Sequence, residues 1–281
     1  MAFYLLALSI LSVFPVCKIQ LLNQPIWRWL LAGSVISAYY QAYISLAGLA
    51  VTMLYCCLYG GAIATRLGTL RYVSVTMWIF GSLALAMHWL PGFNNLAIVV
   101  NQQVTTDAIP FTLYANFDKG VAGLLLTAYF YANKKVAAPA VNIKQPVFII
   151  VSTVLATLFV ALMLGIVDFT PKVPDFWLSF LMINLFFTCV AEEAFFRGFI
   201  QAKLTQHITS PKLGLLAVTI SAIIFALAHF SGGLEYVLVT AIAGFGYSYI
   251  FYKTQRLEWA ILCHWLVNIC HLFLFTYPML A

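Results

Sequence analysis

Residues 29–65 form a 37-residue run without one charged side chain. A bilayer-spanning helix needs about 20 predominantly apolar residues, with about 17–25 as the working range. The run is too long for one crossing and suits two helices, 29–47 and 49–65, joined by a tight hairpin. Further apolar runs lie at 3–17, 72–90, 119–133, 146–166, 176–196, 213–230, 234–252 and 258–278. A transmembrane β-barrel would instead show segments of ~10 alternating residues. The sequence therefore predicts an all-α fold, a polytopic membrane helical bundle. The runs at 3–17 and 119–133 are short, so the expected count is about 8–10 transmembrane helices.

Composition closes the soluble alternative. The chain is 64% hydrophobic and 8% charged, where a soluble domain carries about 25% charged residues. The net charge of +6 is not a nucleic-acid signal, because the basic residues fall in loops between apolar runs. Those loops are Lys18–Arg28, Arg66–Arg71, Lys134–Lys144, Arg197–Lys212 and Lys253–Arg256. The acidic or neutral connections are 91–118, 167–175 and 231–235. With ten spans the two kinds alternate, which puts the basic side in the cytoplasm and both termini outside. The first run has no basic n-region and no small-residue cleavage site, and reads as a membrane helix rather than a signal peptide. The six cysteines sit in or beside apolar runs, show no Cys-x-x-Cys, and read as small buried hydrophobes.

The longest connection, 91–118, reads as an interfacial or re-entrant segment. The stretch 134–145 is the best boundary. Residues 1–145 are a transmembrane region of unassigned role, and 146–281 hold all the convergent chemistry.

That chemistry centres on Glu192 and Glu193, adjacent in an apolar run and two of only eight acidic residues. An ionised side chain at bilayer depth costs about 2.5–3.5 kcal/mol on insertion scales, so such a residue marks function by default. Glu193 and Arg197 are spaced i,i+4 and can pair on one helix face. Glu192 has no obvious local partner. Phe225 and His229 share a face one turn apart, as do His264 and Asn268, with His271 a turn further on. The set supplies a base to take a proton from water, imidazoles to orient or share it, and Asn or His donors for an oxyanion. It equally resembles a Glu/His zinc site with an open position. If a metal is present, Glu192, His229 and His264 are its ligands, yet none of them needs one to act. Phe225 reads as packing around the histidine, and His88 and His207 as packing or hydrogen-bonding residues. His-Glu-x-x-His, Gly-x-Ser-x-Gly and phosphate-binding glycine loops are absent.

In this order the motifs resemble those of the CPBP family (CAAX proteases and bacteriocin-processing enzymes, also called the Abi family). The family pattern is Glu-Glu-x-x-x-Arg, then Phe-x-x-x-His, then His-x-x-x-Asn/Asp. It stands here as Glu192-Glu193-Ala-Phe-Phe-Arg197, Phe225-Ala-Leu-Ala-His229 and His264-Trp-Leu-Val-Asn268, within a resemblance covering roughly 176–272. The resemblance implies that 146–281 is a catalytic membrane domain. It implies an intramembrane endopeptidase, glutamic or metal-dependent, cutting a membrane-anchored protein or peptide near its C-terminus. In its terms Glu192 activates water with His229, His264 and Asn268 bind the oxyanion, and Glu193 and Arg197 support the site. The implied partners are that substrate and the lipid bilayer, and the implied place is a multi-pass position in the bacterial inner membrane. Two other readings fit the residues. Buried Glu, His and Arg also relay protons in transporters, although here they cluster after residue 190. A non-catalytic membrane scaffold or immunity factor would keep the same fold.

Overall fold

The apolar runs fold into helices wherever a cap or a turn residue can end them. In the computed structural model the described residues are 1–17, 19–64, 68–134, 139–208 and 213–281. Lys18, Arg66, Lys135 and Lys212, which the sequence places in basic loops, lie outside them. Among the described residues stand ten helices: α1 (Ala2–Val13), α2 (Ile26–Tyr40), α3 (Leu46–Ile63), α4 (Thr69–Ala86), α5 (Phe117–Asn133), α6 (Lys144–Met163), α7 (Trp177–His207), α8 (Gly214–Leu227), α9 (Leu234–Thr254) and α10 (Leu257–Leu274). The fold is all-α and its apolar helices are those of a polytopic membrane bundle. Six of them, α3, α4, α6, α7, α9 and α10, are long and apolar enough to cross a membrane. α8, with 14 residues, is about 21 Å long at ~1.5 Å per residue, short of a hydrocarbon core of ~30 Å.

The run 29–65 does divide into two helices, but its turn lies at 41–45 rather than at 48. Ala42 takes a left-handed φ of 59° there, and Ser45 caps α3 by accepting from the Gly48 amide at 3.4 Å. The segment 91–118 carries a strand pair: Leu96–Gln102 (β3) and Phe111–Ala115 (β4) form a two-stranded sheet. Ile98, Val99 and Val100 supply the β-branched run that such a pleat favours. A second, minimal pair joins Gln20–Leu21 (β1) to Gln24–Pro25 (β2). Two expectations, for Arg197 and Cys57, need correction. Arg197 belongs to no loop, since α7 continues to His207 and buries it completely. Cys57 is exposed on α3, whereas Cys189 and Cys263 are buried as expected.

The chain forms two compact units. The first comprises Met1–Ala97, Tyr114–Lys135 and Phe186–Ala194. Its central element is α5, buried throughout Gly120–Phe130 and packed against α1, α3 and α4. Tyr55, Tyr59 and Tyr129 close around Trp78, with the Trp78 and Tyr129 rings 4.9 Å apart. The second unit comprises Ile98–Leu113, Val136–Leu185 and Phe195–Ala281. α9 is its centre, between α8, α6 and α10. After α10 the chain runs extended and is stitched to 166–170 by backbone bonds from Thr276 to Asp168 and from Leu280 to Ile166.

Candidate active site

α7 carries the paired glutamates, and it is not a regular α-helix. Asn184–Cys189 and Ala194–Gln201 wind as π-helix, with one α-helical turn, Val190–Glu193, between them. A π-turn bonds i→i+5 and is frequent at functional sites. The second stretch carries Arg197 and follows directly on Glu193.

In the first unit the glutamate turn packs on α5. The two backbones meet closely because α5 has a glycine at the contact: a Cβ on Gly123 would stand 2.9 Å from Ala191 Cα. One turn earlier, Lys119 Nζ donates to Glu192 Oε1 at 2.8 Å, and the side chains are only 17% and 18% exposed. Glu193 is fully buried. Asp118, also buried, accepts from His88 Nδ1 at 2.7 Å, from Asn95 Nδ2 at 3.2 Å and from the Lys119 amide at 2.9 Å. His88 is thus a hydrogen-bonding residue. Lys119 is the partner that sequence reasoning missed for Glu192. The available signal was a lysine at the very edge of an apolar run.

In the second unit Phe225 is the hub. Its ring lies 4.5 Å from that of His229 and meets His264 edge-on at 5.7 Å. Tyr247 stacks on His264 from α9, 4.6 Å away and 14° from parallel. Behind Phe225, the buried Arg197 guanidinium sits 4.6 Å from its ring centroid. Arg197 donates to the Gly244 carbonyl at 2.9 Å and to Ser248 Oγ at 3.3 Å. Gly244 leaves room for this layer, since a Cβ there would come within 2.8 Å of Phe225. His229 follows the end of α8, and its Nδ1–H donates to the Phe225 carbonyl at 2.8 Å. That bond fixes the tautomer, so the lone pair of neutral His229 is on Nε2. Asn268 Nδ2 donates to Asn184 Oδ1 at 3.1 Å, which orients its amide.

His229, His264 and Asn268 line one cavity of about 70 Å³, together with Phe225, Tyr247 and His271. That volume holds several water molecules at ~10–15 Å³ each. Ala161, Ile166, Val167 and Val239 make an apolar wall. His271 accordingly joins the cavity, while His207 ends α7. Among the described residues no three His, Cys, Asp or Glu side chains are grouped so as to hold a metal ion.

Residues 174–270 match the family model described as type II CAAX prenyl endopeptidase Rce1-like. The matched segment carries all three motifs, and the resemblance to CAAX proteases holds over it. The match supports CAAX-type endopeptidase activity in a membrane protein that crosses the bilayer several times. No curated protein and no solved structure matches the chain.

Proposed function

We propose that this protein is an intramembrane endopeptidase in which Glu192 activates water to cut a membrane-anchored protein or peptide near its C-terminus. The observation that carries the reading is the shared cavity of His229, His264 and Asn268, all three inside the family-matched segment. The reaction is amide hydrolysis. Glu192 takes a proton from water as the water oxygen attacks the scissile carbonyl carbon. The carbonyl electron pair moves onto oxygen, and His264 and Asn268 donate to that oxyanion. Collapse restores the C=O and breaks the C–N bond, and the proton held on Glu192 passes to the leaving nitrogen. His229 assists the first step through Nε2, which can accept from the water. Asn268 is oriented in advance by Asn184, so it reorganises little as charge develops. Glu193, Arg197 and Phe225 support the site. Catalysis is assigned to 146–281, in a multi-pass protein of the bacterial inner membrane, and no step is routed through a metal ion.

The test is cleavage of a quenched, prenylated peptide ending in Cys-a-a-X by full-length protein in liposomes. Wild type releases a C-terminal fragment identified by mass, and folded Glu192→Gln releases none. Equal cleavage by the two proteins refutes the role of Glu192.

A further inference from the structure

The cation that meets Glu192 comes from outside the family-matched segment. Lys119 lies 73 positions away along the chain, on α5, and the match spans only 174–270. A lysine ammonium is a point charge on a flexible four-carbon stem, so it fixes a carboxylate only if its own helix is held firmly. Two devices in the first unit hold it. Asp118 gathers His88, Asn95 and the Lys119 amide onto one carboxylate, and Asn95 Oδ1 in turn accepts from the Phe117 amide at 2.9 Å. Together they tie down the first turn of α5. One turn on, Gly123 seats the α5 backbone against Ala191, the residue before Glu192. Sequence neighbours thus supply both the charge partner and the distance over which it reaches.

We infer that Lys119 is a positioning residue that fixes the Glu192 carboxylate, with the Asp118 brace keeping Lys119 in register. The inference rests on the proposed role of Glu192. It assigns residues 1–145 a function: they hold the general base. A purely structural ion pair would instead contribute to stability alone. The two roles separate in kinetics. A positioning role acts on kcat and responds to the return of positive charge, whereas a structural one acts on melting temperature.

The experiment uses full-length protein in liposomes and the prenylated Cys-a-a-X peptide as probe. Lys119→Gln keeps length and a donor but loses the charge. Its kcat falls about 100-fold, the order expected for a misplacement of about 1 Å, and KM stays at the wild-type value. Lys119→Arg recovers most of the rate, and ethylammonium added to Lys119→Ala raises its rate. His88→Gln, at the exposed side of the brace, is the second variant and gives a smaller loss in kcat. A folded Lys119→Gln with wild-type kcat overturns the inference. If Lys119→Gln does not accumulate, wild-type kcat in His88→Gln overturns it. Equal cleavage by wild type and Glu192→Gln refutes the proposed function itself. An inactive Glu192→Gln beside a fully active Lys119→Gln refutes only the positioning role.

Discussion

Gly123→Ala adds one methyl group where α5 meets the glutamate turn. Its Cβ would lie 2.9 Å from both Cα and Cβ of Ala191. Ordinary carbon contacts sit at about 3.5–4.0 Å, so the two helices must part by roughly 0.6–1.1 Å. Because an obstructing atom is backbone, a rotamer change cannot relieve it. Overpacking of this kind costs about 1–3 kcal/mol, and replacing a helical glycine returns about 0.5–1 kcal/mol. The expected net loss is about 0–2.5 kcal/mol, small enough for the protein to accumulate. The same shift moves Glu192, and a displacement of ~1 Å lowers turnover about 100-fold. The assay pairs melting in detergent with peptide cleavage in liposomes. Gly60→Ala is the control: in α3, with no atom within 4 Å of the added methyl, it should gain about 0.5–1 kcal/mol and keep full activity. A Gly123→Ala protein that behaves like Gly60→Ala refutes the account of how the glutamate turn is held.

Three further outcomes are expected. Arg197→Lys keeps the charge but loses the planar fork that serves Gly244 O and Ser248 Oγ under Phe225; stability drops by about 1–3 kcal/mol, and unchanged melting contradicts this. Burial pushes Lys172, in the loop between α6 and α7, down to about 8 from its ordinary 10.5. Its folded pKa lies below its unfolded one, so the folded state disfavours the proton and stability rises with pH between about 8 and 10.5. The difference in melting temperature between wild type and Lys172→Met should change across that window and be flat below it; a flat difference throughout contradicts the assignment. Cleavage should survive metal chelation, because the proposed steps use Glu192, His229, His264 and Asn268 as base and donors without a metal ion, and activity lost to a chelator and restored by zinc contradicts this.

The helices were legible because their signal is local and long. The charge-free run 29–65 could only be two helices, and the spacing of Phe225 to His229 and of His264 to Asn268 identified residues that share a cavity. What escaped was non-local or lay in backbone phase. No i,i+4 rule pairs Lys119 with Glu192 across 73 positions. The two π-helical stretches of α7 are a matter of backbone phase that no residue spacing in the sequence marks. The β3–β4 pair was hidden because its residues mix polar and apolar types, as an interfacial or re-entrant segment also would. Its Phe111 packs on Phe176 and Tyr277 from distant parts of the chain, contacts that only the fold reveals.

The most direct test of the central claim compares membrane-protein termini in cells carrying wild type or Glu192→Ala at equal abundance. The account predicts new termini near the C-terminal ends of membrane-anchored proteins with wild type alone, and those proteins are then the substrates. Identical termini, with both variants folded in the membrane, would contradict the assignment of Glu192 as the base of an endopeptidase and leave a scaffold or a transporter as the better description.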